Sequence, residues 1–148
     1  MKQKPSTEWA GDAARKPVKG NEWFATFTFM DVSGAIGSSF FRSIRSNGTV
    51  QREIFLLGAE DTDTEEYDRH VIAHEWGHYL EDAFSRSDSV GGPHALGDQL
   101  DMRVAFGEGW GNAFSAMVER DPVYKDTLGP AQNTGFYLDV ESEIVPNC

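Results

Sequence analysis

The chain has 148 residues, a length that suits one domain with a real core. At 39% hydrophobic and 25% charged, its composition is that of a globular protein rather than a disordered segment. A formal net charge of -11 argues against nucleic acid, whose phosphates need Lys and Arg contacts, and against an anionic membrane surface. No stretch approaches the roughly 18 apolar residues that span a bilayer. No signal peptide is visible after Met1-Lys2-Gln3-Lys4-Pro5. Cys148 is the sole cysteine, so neither an internal disulfide nor a cysteine-based zinc site is available.

Residues 1–20 are polar and broken by Pro5, Gly11, Pro17 and Gly20. They read as an arm or linker ahead of a domain over residues 21–148. Trp23–Met30 alternates Ala25, Phe27 and Phe29 with Thr26 and Thr28, a strand pattern. Phe40–Arg45 and Thr49–Leu57 flank Asn47-Gly48, the pair that best tolerates positive φ in a two-residue hairpin turn. Thr62 stands three residues before Glu65, the spacing of a capping box. It predicts a helix from near Thr64 to Phe84, with Val71, Ile72, Trp76, Leu80 and Ala83 as apolar surface. Ser85–Leu100, with Gly91-Gly92-Pro93, reads as a long loop. A second helix fits Asp101–Arg120 and stops at Asp121-Pro122. Gly107, Gly109 and Gly111 are poor helix formers, at about 1 kcal/mol each. Their density predicts close approach to a neighbouring element. The tail holds one strand, at Gly135–Val140.

The chemistry sits in Ala73-His74-Glu75-Trp76-Gly77-His78. Histidines four residues apart on a helix present both imidazoles on one face, within reach of one ion. Imidazole nitrogen suits Zn²⁺ at about 2.0–2.1 Å. Glu75 leaves the helix about 100° from His74, beside the metal, where it can take a proton from the attacking water. That division of labour is the general account of an H-E-x-x-H helix. The competing reading is a pair of core histidines with ordinary hydrogen bonds. Against it, unpaired His and Glu inside an apolar helix are expensive. A catalytic zinc also needs a third protein ligand. A metzincin would carry a histidine six residues past His78, where this chain has Phe84. The other option is a carboxylate from a later helix, and Glu108 lies 30 residues on.

His74-Glu75-Trp76-Gly77-His78 followed by Gly107-Glu108-Gly109-Trp110 resembles the gluzincin metallopeptidases, above all the thermolysin-like and fungalysin-like branch. The resemblance covers roughly residues 70–118, about a third of the chain. It implies that His74, His78 and Glu108 are zinc ligands and that Glu75 is the general base. Where that family carries an aspartate orienting the first zinc histidine, this chain has Asn112. Asn112 shares a helix face with Glu108 and can accept from His74 without a full negative charge. Asp98 and Asp101 are the alternatives for that role. The family takes its oxyanion donor from a Tyr or His, and His94, Tyr124 and Tyr137 have that chemistry. The resemblance also implies a zincin-like fold and a secreted or cell-envelope location. It further implies a helical C-terminal subdomain, for which the 70 residues after His78 are too few. The chain is therefore expected to be a catalytic-domain fragment.

Weaker signals stand beside these. His70 lies one turn before His74, but His70, His74 and His78 span about 12 Å of helix, so His70 is expected to be exposed or to support a ligand. Asp61, Asp63, Glu65 and Glu66 have calcium-binding chemistry, as relatives often do. They lack the EF-hand glycine and spacing, and acid at a helix N-terminus has its own explanation in the helix dipole. Trp76 and Trp110 fit core packing better than a substrate wall. Together these observations predict an α+β fold, with an N-terminal antiparallel sheet packed on two zinc-bearing helices. Position and the resemblance imply a zinc endopeptidase, with Ile54–Leu57 as the sheet edge that holds an extended peptide. The alternatives are a zinc-binding module without turnover, or an aminopeptidase.

Overall fold

Asn47-Gly48 makes the turn its residue types predict. Both residues adopt positive φ, 51° and 80°, and close the hairpin at the Ser46–Thr49 pair. The computed structural model describes residues 26–30, 38–58, 60–95 and 97–142, and the expected arm over residues 1–20 lies outside them. In chain order the strands and helices are β1 (Thr26–Met30), β2 (Phe40–Ser46), β3 (Thr49–Leu57), α1 (Arg69–Phe84), α2 (Met102–Glu119), β4 (Val123–Leu128) and β5 (Thr134–Asp139). The architecture is mixed α and β, two sheets with two helices, in keeping with an α+β class. Among the described residues, no helix is long and apolar enough to cross a membrane.

Two expectations about the first sheet are corrected. It is mixed rather than antiparallel, because β1 runs parallel to β3 while β2 runs antiparallel to it. The strand order is β1-β3-β2, so Ile54–Leu57 belongs to the central strand and is not an edge. Its apolar content has the ordinary cause: Ile54, Leu56 and Leu57 are buried. The core gathers Ile54, Leu56 and Tyr79, with Phe41, Ile72, Trp76, Leu80 and Ala83 packed against them. Trp76 meets Tyr79 edge-on at 4.8 Å, so it serves the core. Asp82 ties the end of α1 to the hairpin. It pairs with Arg52 at 2.7 Å and with Arg45.

The first helix begins later than Thr64. Glu65 does not return to the Thr62 backbone. Its carboxylate accepts from the Ser39 backbone N–H at 2.8 Å and from the Ser39 hydroxyl. With Glu65 so engaged, Glu65–Tyr67 forms a single 3₁₀ turn and α1 starts after Asp68. The Asp68 carboxylate is also taken, by the Thr127 N–H and hydroxyl at 2.7 Å each. The second helix keeps close to its expected limits. Asp101 caps it through the Arg103 N–H at 2.9 Å, and Arg120 ends it in the left-handed conformation.

The tail holds two strands rather than one, β4 and β5, paired antiparallel. Gly135 is obligatory there: its φ is 154°, and a Cβ would sit 2.4 Å from the Asp126 carbonyl oxygen. Gly129 N–H donates to the Thr62 carbonyl at 2.8 Å, and Asp63 bridges Leu128. The tail hairpin is thereby tied to the approach to α1.

Candidate metal centre

The two helices run antiparallel and touch through glycine. A Cβ on Gly77 would stand 3.0 Å from the Gly111 Cα. A Cβ on Gly111 would stand 2.8 Å from Cε1 and Nδ1 of His74. Gly107 faces Glu81 and the His78 ring at ordinary contact distance, whereas Gly109 has nothing within 4 Å. Of the three glycines in α2, Gly111 thus makes the expected close approach. Trp110 Nε1–H donates to the Gly77 carbonyl at 2.8 Å, pinning the crossing. His70 is buried at one end of the interface, with Nε2 3.1 Å from the Asp121 carbonyl oxygen. It fastens α1 to the residues just past α2 and takes no part in ligation.

This crossing brings together the residues the sequence singled out. His74 Nε2 lies 2.9 Å from His78 Nε2 and 3.1 Å from Glu108 Oε2. His78 Nε2 lies 3.4 Å from Glu108 Oε1. One ligand atom from each of the three falls within 4.8 Å of the others. His74 Nδ1 faces Asn112 Oδ1 at 2.9 Å. With that amide oxygen accepting, Nδ1 carries the hydrogen and Nε2 turns its lone pair inward. Of the three candidates for the orienting role, Asn112 is the one that faces His74. The alternatives are occupied elsewhere: Asp98 accepts from the Ala95 N–H, and Asp101 caps α2.

Inward-facing lone pairs and a carboxylate at about 3 Å repel unless a cation sits among them. The electrostatics agree. Burial works to raise the Glu108 carboxyl, but the His74 and His78 rings, which donate to it in their protonated forms, hold it far below the usual carboxylate range. Burial opposes charge on His74, yet its hydrogen bond to Glu108 and the charge of Glu75 draw it upward. The three side chains favour a positive charge between them, a place that a proton or a divalent metal can take. Two imidazoles and one carboxylate are a donor set that suits zinc.

Glu75 is buried beside them, and burial raises its carboxyl against the pull of His74 and His78. The Phe41 backbone of β2 is its hydrogen-bond partner, while Oε2 is buried with no partner. A buried carboxylate oxygen without a donor is the exception in proteins. Asp63 Oδ1 and Glu66 Oε2 share that state, and what sets Glu75 apart is its place beside His74 and His78. Among the described residues β2 is a sheet edge, and it, not β3, runs beside the centre.

The three oxyanion candidates separate. Tyr124 on β4 sets its ring 5.9 Å from the His74 ring. Burial, then Asp126 and Glu75, pushes its phenol upward, so it stays a donor. His94 reaches Glu108, with Nε2 3.2 Å from Oε2. Tyr137 stands exposed on β5, opposite Lys125. The sequence also grouped Asp61, Asp63, Glu65 and Glu66. Of these, Asp63 and Glu65 converge with Asp126 of β4, with carboxylate oxygens within 4.8 Å of one another. Burial pushes Glu65 up to about 7 and Asp126 up to about 6. Asp61 is exposed and Glu66 lies against Gly58. Asp126 was missed because β4 was not foreseen.

Comparison with protein-family models, with characterised proteins and with solved structures finds no match for this chain.

Proposed function

We propose that this chain is a zinc-dependent peptide hydrolase of the gluzincin kind, with a zincin-like arrangement of α1 and α2. The observation that carries the reading is the convergence of His74, His78 and Glu108 next to a buried Glu75 oxygen that has no partner. His74, His78 and Glu108 would hold one zinc ion, which when bound supplies Lewis acidity toward the scissile carbonyl and lowers the pKa of water. Asn112 fixes the His74 tautomer so that Nε2 is available. Glu75 accepts the proton of the attacking water and delivers it to the leaving amine. Tyr124 offers a neutral phenol from β4 on the same side as His74. An extended peptide fits the edge that β2 presents among the described residues by strand addition, beside Phe41, whose backbone holds the base.

A second reading, a zinc-binding module that needs another polypeptide wall before it turns over, is favoured by one observation. α2 leaves Met102, Phe106 and Met117 exposed on one side, an apolar face that a further subdomain would cover. Metal analysis paired with a quenched-peptide assay separates the two. Stoichiometric zinc with chelator-sensitive cleavage supports the hydrolase. Stoichiometric zinc without cleavage supports the module. Protein purified without chelator that neither contains nor rebinds zinc contradicts both.

A further inference from the structure

β4 is fastened to the start of α1 at both of its ends. Towards the far end, the Asp68 carboxylate takes the Thr127 N–H and hydroxyl. At the near end the anchor is Asp121, two residues before the strand. His70 Nε2 lies 3.1 Å from the Asp121 carbonyl oxygen. A carbonyl can only accept, so Nε2 carries the hydrogen, and the contact is a hydrogen bond with the ring neutral or charged. Asp121 is held from other directions too. Its N–H donates to the Ala116 carbonyl of α2 at 3.2 Å. Its carboxylate accepts from the Val123 N–H at 3.0 Å and from Lys125 Nζ at 2.6 Å. His70 is thus the α1 tie of a knot that joins α1, the end of α2 and the start of β4.

Tyr124 lies between the two anchors. Its ring is 5.7 Å from the His70 ring and 5.9 Å from the His74 ring, one helical turn further on. Phe136 of β5 backs it at 6.5 Å. We infer that His70 is a positioning residue: through the Asp121 carbonyl and its own ring contact, it holds Tyr124 beside His74. This rests on the proposed hydrolysis, in which Tyr124 is the donor to the oxyanion. An apolar side chain at this buried position would fill the space but leave the Asp121 carbonyl without its donor. The need for such a tie is one of placement. A donor that acts in the transition state must already be in place, and a displacement of about 1 Å can cost about 10²-fold in rate.

The test reads two quantities. One is kcat and KM on a quenched peptide at matched zinc occupancy. The other is the NOE between the Tyr124 and His74 ring protons in metal-free protein. His70→Leu and His70→Ala remove the N–H, with and without the volume of the ring, and His70→Gln keeps an N–H able to reach the Asp121 carbonyl. They are compared with wild type, Tyr124→Phe and the double variant His70→Leu/Tyr124→Phe. Tyr124→Phe is expected to lose about 10²–10³-fold in kcat. His70→Leu and His70→Ala should lose about 10- to 100-fold in kcat with KM little changed, and their NOE should weaken. His70→Gln recovers most of both. The double variant should be no slower than Tyr124→Phe, since a residue that acts only through the phenol then has nothing left to act on. If His70→Leu or His70→Ala, folded, keeps the wild-type kcat or NOE, the inference falls and the hydrolase stands. The same follows if the double variant is slower than Tyr124→Phe by the full His70 factor. If wild type does not cleave, or Tyr124→Phe cleaves as fast as wild type, the proposed function or its Tyr124 donor falls first and takes the inference with it.

Discussion

Alanine at Gly111 and alanine at Gly109 should act in opposite directions, although the two residues sit in one helix two positions apart. At Gly109 an added Cβ meets nothing within 4 Å. Only helix propensity changes, and the variant should gain up to about 1 kcal/mol. At Gly111 the Cβ would lie 2.8 Å from two His74 ring atoms, 0.6 Å short of the 3.4 Å at which ordinary contact begins. The ring has no easy retreat, because Nδ1 is held by Asn112 and Nε2 faces Glu108 and His78. Either the helices part or His74 turns. Overpacking of this kind costs about 1–3 kcal/mol, against the same propensity gain of about 1 kcal/mol. The net is a loss of about 0–2 kcal/mol for Gly111→Ala. At roughly 2–4 °C per kcal/mol for a domain of this size, the two variants should melt several degrees apart. A zinc titration adds a second readout: Gly111→Ala should bind at least about tenfold more weakly, and Gly109→Ala as wild type does. Equal stabilisation with equal zinc affinity in both variants would refute the assignment of Gly111 as the point where α2 meets the His74 imidazole.

Asn112→Asp places a full charge on the His74 Nδ1–H, which should tighten zinc binding by roughly tenfold in a chelator competition; unchanged affinity would deny Asn112 its orienting role. Glu65→Gln tests the buried carboxyl at the foot of α1. Because burial raises that carboxyl to about 7 from an ordinary 4.5, the folded state holds its proton more tightly than the unfolded chain does. Its contribution is therefore present at low pH and lost as pH rises from about 4.5 through 7. The variant, whose amide oxygen can still accept from Ser39, should be more stable than wild type near pH 8 by about 2–3 kcal/mol. The difference should vanish near about pH 4, and denaturant melts showing the same difference at both pH values would contradict this.

Much of the fold was legible because local chemistry and tertiary need agreed. Asn47-Gly48 names its own turn, and Thr49–Leu57 has the limits its residues suggest. The site was legible for a related reason. His74, His78 and Glu108 are few, specific residue types, and Gly111, three residues past Glu108, marks the helix crossing, where a side chain would meet the His74 ring. What escaped was set by distant partners. Glu65 has the spacing of a cap, but Ser39, 26 residues away, claims its carboxylate and delays the helix. β4 is Val-Tyr-Lys-Asp-Thr-Leu, too polar to announce a strand. Its Thr127 answers Asp68 and its whole length pairs with β5. The parallel register of β1 on β3 has no local signature at all.

The most direct test of the central claim is peptide cleavage by zinc-loaded wild type and zinc-loaded Glu75→Gln at matched metal occupancy. The buried Glu75 oxygen is not a ligand in the proposed centre, so both proteins should hold one zinc per chain. Wild type should cleave the peptide, and the variant should be slower by about 10²–10⁴-fold. Cleavage at equal rates by the two proteins, with zinc equally bound, would contradict the account.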